Sequence, residues 1–158
     1  KKFGVAGLVI DFTNNQVNYK LPKLDSLDFE AVKNSTVEFL KRQKGVNFAV
    51  NVDRAASAAV PEPLKTMIIN GHHIKRSGDV AVVFNPGWFE TETKIGTTHG
   101  SWNPYDTHIP LLWYGWGVKS GHTNQRVNMT DIAATLAAML HIQMPSGCVG
   151  NAIEPLLQ

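Results

Sequence analysis

The chain has 158 residues, of which 43% are hydrophobic and 18% charged, and its formal net charge is +2. These values are typical of a globular domain, or a large part of one, and argue against intrinsic disorder. No apolar window reaches the ~18 residues of a membrane-spanning helix, and the dispersed basic residues form no nucleic-acid-binding patch. We therefore expect neither a transmembrane segment nor a nucleic-acid partner. The single cysteine, Cys148, excludes an internal disulfide and a cysteine-based zinc site.

The first segment of the chain predicts a β-hairpin. Its short apolar start is ended by Asp11 without a cleavage site, so we interpret residues 3–12 as a strand rather than a signal peptide. Asn14 and Asn15 mark a tight turn into a half-exposed strand over 16–21. Because the chain has no initiator methionine, we expect it to be a processed or cut piece of a longer protein.

The chain then alternates between helix and strand patterns up to residue 84. An amphipathic helix is predicted over 28–43, with Asp28 as its N-cap, Gly45 as its stop and a solvated charged face. Its predicted buried face contains Phe29, Val32, Thr36, Phe39 and Leu40. Strands are predicted over 46–52 and 80–84, with a short helix over 62–70 between them. The resulting β-β-α-β-α-β order predicts a small antiparallel α+β subdomain over 3–90.

The second half, 91–158, is predicted to be the end of a larger α/β core. A buried strand is predicted over 109–116, and its aromatic residues point to both faces, which disfavours a platform for stacking nucleic-acid bases. A helix is predicted to follow, with Asn128 as its N-cap, and to end by His141. Asp131, three residues after Asn128, is placed to form a hydrogen bond back to the Asn128 backbone. Its predicted apolar stripe contains Ile132, Leu136, Met139 and Leu140. These elements are too few to bury the predicted strand on both faces.

The candidate chemistry lies in the turn between Gly96 and Ser101, where His99 precedes the predicted strand. Small neighbours allow the backbone to approach closely, and Asp106 and His108 follow within ten residues. A plain turn histidine is the alternative. A catalytic zinc needs at least three protein ligands, so these residues indicate a fragment of a metal site rather than a complete one.

Other motifs give little support for chemistry. His72 and His73 are neighbours in sequence, and neighbouring side chains point in different directions, so a metal site formed by this pair is disfavoured. The sequence has no phosphate-binding glycine loop, no nucleophile elbow and no His-Glu-x-x-His motif.

A set of motifs nevertheless resembles one enzyme family. The segments that carry the resemblance are Thr97–Ser101, Tyr105–Leu112, Gly115–Val118, Asn128–Leu136 and Pro145–Gly150, with Lys75–Val80 and Pro86–Trp88 before them. In combination they are similar to the carboxy-terminal third of PafA-type bacterial alkaline phosphatases. That family lies in the type I phosphodiesterase/nucleotide pyrophosphatase branch of the alkaline phosphatase superfamily. The resemblance covers most of the chain and is weaker across 13–60.

The resemblance implies more than the residues show by themselves. It implies an α/β/α sandwich with two zinc ions, a threonine nucleophile and a phosphate-ester substrate. His99 matches the family's last zinc ligand, and His108 matches a recurring histidine that we interpret as structural support for the ligands. The nucleophile and the other ligands lie upstream, so the implied partner is the upstream catalytic half of the same polypeptide. The family also implies a periplasmic or secreted location.

Two alternatives remain open. The chain is either part of this hydrolase, inactive when isolated, or a non-catalytic α+β interaction module. Within the enzyme class, a parent protein that acts on phosphodiesters, nucleotides or sulfate esters is a further alternative, because the residues that select the substrate lie outside this chain.

Overall fold

A four-stranded antiparallel sheet forms the centre of the first part of the chain. The computed structural model describes residues 2–20, 27–91, 95–115 and 117–157. The strands are β1 (Val9–Thr13), β2 (Gln16–Tyr19), β3 (Val46–Asn51) and β4 (Val80–Phe84), in the spatial order β1-β2-β4-β3. Helices α1 (Phe29–Leu40) and α2 (Leu64–Gly71) follow β2 and β3. The predicted β-β-α-β-α-β order is therefore confirmed.

The β1–β2 hairpin turns through the predicted asparagines. Asn14 and Asn15 both have positive φ, 52° and 59°, which is the conformation that a two-residue hairpin loop requires. The predicted strand over 3–12 is too long at its start, because Gly4 and Gly7 have φ of 68° and 69°, incompatible with extended backbone. The predicted end of β2, residue 21, lies outside the described residues.

Helix α1 begins as its sequence predicts. The Asp28 carboxylate accepts a hydrogen bond from the Ala31 N–H at 3.0 Å, which satisfies one of the free donors of the first turn. The helix ends at Leu40, three residues before the predicted end. The predicted buried face is wrong at Phe39, which is 62% exposed, whereas Val37 is buried in the core.

The prediction of a solvated charged face on α1 is wrong for Lys33. This side chain is buried and forms ion pairs with Glu30 and Asp53. Burial by itself would lower the pKa of Lys33, but the hydrogen bonds to Asp53 and Glu30 outweigh it and leave the pKa raised. The aliphatic part of Lys33 therefore lies beside the core while its charge remains paired.

Strand β4 divides the core into two apolar clusters, one on each face of the sheet. Val80 and Val82 face α1, together with Val32 and Val37. Ala81 and Val83 face the opposite side, where they pack with Ile68 of α2. Burial on both faces explains why β4 is an unbroken run of apolar residues instead of alternating with polar ones.

Three short elements among the described residues have no predicted counterpart. A 3₁₀ segment spans Val52–Ser57 where the sequence predicts the end of β3, a short helix, α3, spans Pro104–Thr107, and a second 3₁₀ segment spans Glu154–Leu156. Helix α2 starts two residues later than predicted and extends one residue past its predicted end, to Gly71. No helix in the described part of the chain has the length and apolar character needed to cross a membrane.

The chain separates into two compact units, Lys1–Ile109 and Pro110–Gln158. The domain division predicted from the sequence, 3–90 and 91–158, stays a prediction.

The predicted strand over 109–116 is wrong for its described residues, which form no strand, and Trp116 lies outside them. A strand requires a hydrogen-bonded neighbour, and the described residues supply none for this segment. Leu112 and Tyr114 are almost fully exposed.

Helix α4 (Asp131–Met139) is the main element of the second unit. The predicted bond between Asp131 and Asn128 is present: the Asp131 carboxylate accepts the N–H groups of Asn128 and Asn151 at 2.8 and 3.0 Å. These two donors lower the pKa of Asp131, the Asn128 N–H having the larger effect. The helix nevertheless begins at Asp131, with Thr130 and not Asn128 at the N-cap position.

The predicted apolar stripe of α4 is wrong at two positions. Leu136 and Leu140 are exposed, whereas Ala134, Thr135 and Ala137 are buried. The small side chains of this second face allow the backbone of the chain's end to approach α4 closely. Thr135 is fully buried, and its hydroxyl donates to the Asp131 carbonyl at 2.7 Å and accepts the Ile153 N–H at 3.0 Å.

Replacing Thr135 with valine is expected to destabilise the chain by about 2 kcal/mol, because the near-isosteric side chain leaves the buried Ile153 N–H without its partner. Thr135→Ser keeps both hydrogen bonds and loses one methyl group, at a cost of about 1 kcal/mol. Urea unfolding of the two variants measures the difference. A larger loss for serine than for valine would show that packing, and not hydrogen bonding, explains the burial of Thr135.

Candidate functional site

His99 lies on an exposed loop between two glycines that the backbone conformation requires. Gly96 has φ of 132° and Gly100 has φ of 93°, values that favour glycine. No atom of the described residues lies within 4 Å of where a Cβ on either glycine would be. The expectation that small residues permit a close backbone approach beside His99 is therefore wrong, and the glycines serve the conformation of the loop.

The loop is held to the β1–β2 hairpin on one side of His99. The Asn15 side-chain amide donates a hydrogen bond to the Gly100 carbonyl at 3.1 Å. Asn15 therefore has two roles, since its positive φ forms the hairpin turn and its side chain fixes the loop that carries His99. Its positive φ is visible in the sequence as a turn signal, but nothing in the sequence indicates a contact with a residue 85 positions away.

Two further contacts follow immediately after His99. The Ser101 N–H donates to the Asp106 carboxylate at 2.8 Å, which closes a turn onto helix α3. The next side chain, Trp102, packs against the core cluster on the α2 face of the sheet. An exposed histidine is thus carried by a loop that is fixed at Gly100, at Ser101 and at Trp102.

Among the described residues, Asp106 is an acidic group close enough to His99 for their charges to interact. Hydrogen bonds from Ser101, first from its side chain and then from its backbone, lower the pKa of Asp106, and the attraction of His99 acts in the same direction. Asp106 is therefore a stable carboxylate at neutral pH. The described part of the chain offers the His99 imidazole no hydrogen-bond partner.

Tyr105 connects α3 to the turn after β4. Its hydroxyl accepts the Gly87 N–H at 3.2 Å and the Asn103 side-chain amide at 3.2 Å. The pKa of Tyr105 is lowered, chiefly by the Gly87 N–H, with Ser101 and Asn103 contributing. No pattern in the sequence indicates this role for Tyr105, which is largely exposed.

The remaining histidine candidates do not join His99. His108 is exposed at the end of α3, and its backbone N–H donates to the Pro104 carbonyl. His72 and His73 follow α2, where the Nδ1 atom of His73 accepts the Lys75 N–H at 3.2 Å. Within the described ranges, no three His, Cys, Asp or Glu side chains come together as a metal-ligand group. The described residues thus place one exposed imidazole and one carboxylate together.

Removing the hairpin contact is expected to loosen the His99 loop without unfolding the sheet. Asn15→Gly keeps the freedom to adopt positive φ but loses the bond to Gly100, which is worth about 1 kcal/mol. We expect exchange of the Ser101 N–H, which donates to Asp106, to increase by up to about fivefold, as measured by mass spectrometry. Asn14→Gly is the matched control, because Asn14 shares the turn, and equal effects of the two variants would remove the assigned role of Asn15.

The chain is similar in sequence to part of three known proteins. The chain is 45% identical over 147 residues to alkaline phosphatase PhoV of Synechococcus elongatus, covering 92% of the chain and 26% of that protein. It is 39% identical to alkaline phosphatase PafA of Elizabethkingia meningoseptica and 42% identical to a calcium-transporting ATPase of Myroides odoratus; each match covers 99% of the chain and 29% of the relative. No family model matches the chain.

The fold agrees with these sequence matches. The crystal structure of PafA superposes with a TM-score of 0.94 at 39% identity, covering 99% of the chain and 31% of PafA. A PafA variant with four substitutions superposes with a TM-score of 0.90, over 97% of the chain and 30% of that protein. The chain is therefore homologous to PafA-type alkaline phosphatases and has the fold of the corresponding part of PafA. It spans less than a third of the length of these relatives.

Proposed function

We propose that this chain is the carboxy-terminal part of a zinc-dependent phosphate-ester hydrolase and that His99 is one of the zinc ligands of that enzyme. The main support is the 39–45% identity to alkaline phosphatases, which extends over almost the whole chain. The structural support is the His99 loop, which exposes an imidazole while three neighbouring positions are fixed. As in the family it resembles, we expect the enzyme to be periplasmic or secreted.

The chemistry of the donors fits zinc. Neutral imidazole is a common zinc ligand, and a ligating histidine usually donates its other ring N–H to a carboxylate. Asp106 is the carboxylate beside His99. No hydrogen bond joins Asp106 to His99 in this structure; we infer that Asp106, held by the Ser101 N–H, would accept the second ring N–H of His99 when the ring binds zinc. One histidine is too few for a zinc site, so the other ligands must come from outside this chain.

Bound zinc would lower the pKa of a coordinated water or hydroxyl and stabilise the charge on the transferring phosphoryl group. The residues of this chain contribute by positioning the His99 imidazole. The loop that carries His99 is held by Asn15, Asp106 and Trp102. Because the loop is already fixed, it loses less conformational entropy when His99 binds the metal. We place no nucleophile and no phosphate-binding group in this chain.

The partner implied by this function is the upstream catalytic half of the same polypeptide. Large apolar side chains of the second unit are exposed, namely Leu112, Tyr114, Met129, Leu136, Leu140, Ile142, Met144 and Val149. Two of them, Leu136 and Leu140, are on the face of α4 that the sequence predicts to be buried. Residues 109–116 also have the composition of a buried strand, but the described ones, 109–115, have no strand partner among the described residues. A larger α/β core would supply both missing contacts.

Phosphate monoesters are the proposed substrates, since two of the relatives are alkaline phosphatases. The calcium-transporting ATPase among the relatives supports hydrolysis of a nucleoside triphosphate as the second candidate. Assays with a phosphate monoester, a phosphodiester, ATP and a sulfate ester distinguish these substrates.

The function is tested by comparing the 158-residue chain with the full-length gene product. We expect zinc-dependent hydrolysis of p-nitrophenyl phosphate by the full-length protein and none by the chain alone, because the chain lacks the nucleophile and most of the ligands. Zinc-dependent turnover by the isolated chain would contradict the proposal. A full-length protein that hydrolyses none of the four substrates with zinc would favour a non-catalytic interaction module.

A further inference from the structure

Two buried polar atoms near the start of α3 have no hydrogen-bond partner in the described part of the chain. They are Nδ1 of His72 and Nε1 of Trp102. A buried polar atom without a partner costs about 1–3 kcal/mol, and such atoms are few in folded proteins. Two of them therefore require an explanation, especially since Trp102 is three residues from His99.

Both residues line the same small cavity. Its volume is about 20 Å³, and it lies behind Trp102 between the sheet and the end of α2. The other polar side chains in its wall belong to Gln16 and Ser77, and apolar contacts come from Ile68 and Ala81. The cavity thus brings an indole donor, an imidazole nitrogen and two further polar side chains around one space.

The size of the cavity and the polar atoms in its wall indicate which molecule it can hold. A volume of this kind holds one water molecule, for which about 10–15 Å³ is sufficient, and it is too small for a larger ligand. A buried water normally makes two to four hydrogen bonds. The indole N–H can only donate and a neutral imidazole nitrogen can accept, so one water can accept from Trp102 and donate to His72.

We propose that a single internal water molecule bridges Trp102 Nε1 and His72 Nδ1. This water is part of the structure that carries His99, because it fixes the indole of Trp102 and thereby the backbone at Ser101, whose N–H holds Asp106. His72, for which the sequence analysis disfavours a role as a metal ligand, accepts a hydrogen bond from that water. The proposal rests on the cavity and its two buried polar atoms and is independent of the function proposed above.

The direct test is a crystal structure of the full-length protein at a resolution that shows ordered water. We expect one water within hydrogen-bonding distance, about 2.7–3.2 Å, of both Trp102 Nε1 and His72 Nδ1. A direct protein partner for the indole N–H, or a cavity without water density, would overturn the proposal. This test requires no substitution and so does not depend on the folding of a variant.

A matched pair of variants tests the role of His72 in the same protein. Indole N–H exchange, measured by NMR with ¹⁵N-labelled tryptophan, is expected to be about tenfold faster for Trp102 in His72→Leu, because the water loses its acceptor. His72→Asn supplies a carbonyl oxygen and should keep exchange close to that of the unaltered protein. The half-exposed Trp88 is the internal reference. Equal exchange at Trp102 in all three proteins would overturn the bridge.

Discussion

On the function proposed above, replacing His99 with alanine is expected to lower kcat/KM for phosphate monoesters by at least about 100-fold in the full-length protein. Loss of a group that merely supports a metal ligand already costs about 10–100-fold in affinity or activity, so loss of a ligand costs at least as much. The fold should be unaffected, because the His99 side chain is exposed and has no hydrogen-bond partner among the described residues. Steady-state kinetics at saturating zinc and a thermal melt measure the two effects separately.

The control for this variant is His122→Ala, which removes another exposed histidine that we assign no role. We expect its kcat/KM to match that of the unaltered protein. Asp106→Asn provides an intermediate case: the amide keeps the shape but loses the negative charge, and we expect a loss of about 10-fold. Activity of His99→Ala within a factor of two of the unaltered protein would refute the assignment of His99 as a ligand.

Gly150→Ala is expected to be the most destabilising single change in the second unit. A Cβ at Gly150 would lie 2.0 Å from the Thr130 carbonyl oxygen and 2.7 Å from the Asp131 N–H nitrogen. Both atoms belong to the backbone at the start of α4, so they cannot move aside as a flexible side chain can. Overpacking of this kind typically costs 1–3 kcal/mol and occasionally more, and we expect about 3 kcal/mol in urea unfolding.

Two other glycines separate the steric cause from the conformational one. Gly147 has φ of 76° and open space around it, so Gly147→Ala should cost only the ~1 kcal/mol of left-handed backbone strain. Gly121 has open space and no positive φ, so Gly121→Ala should change stability by less than about 0.5 kcal/mol. If the loss at Gly150 is no larger than the loss at Gly147, the close contact with Thr130 is absent in solution.

The parts of the fold that the sequence predicted correctly depend on local chemistry. Asp28 caps α1 through a residue three positions away, and Asn14 with Asn15 forms a turn whose conformation these residues tolerate. Strand β4 is an uninterrupted apolar run, which is the pattern of a strand buried on both faces. In each case the determining interaction lies within a few residues, or the burial is uniform.

The wrong predictions share a different cause. Residues 109–116 have the composition of a strand, and Leu136 and Leu140 have the spacing of a buried helix face. Among the described residues, 109–115 form no strand and Leu136 and Leu140 are exposed, because a strand needs a neighbour and an apolar face needs a surface to cover it. If the function proposed is right, these residues pack against the upstream part of the polypeptide.

The site was predictable only in part. The residues around His99 resemble a zinc-ligand segment, and the Asp106 that follows it lies beside it in the structure. The contacts that hold the loop were not predictable, because Asn15 reaches Gly100 across 85 positions and Trp102 shares a cavity with His72. Such contacts depend on the assembled sheet and leave no periodic signal in the sequence.

The most direct test of the central claim is the zinc content of the purified full-length protein with and without His99. We expect two zinc ions per chain in the unaltered protein and one in His99→Ala after identical dialysis, measured by elemental mass spectrometry, with His122→Ala retaining two. Equal zinc content in His99→Ala and the unaltered protein would contradict the account, because His99 would then hold no metal.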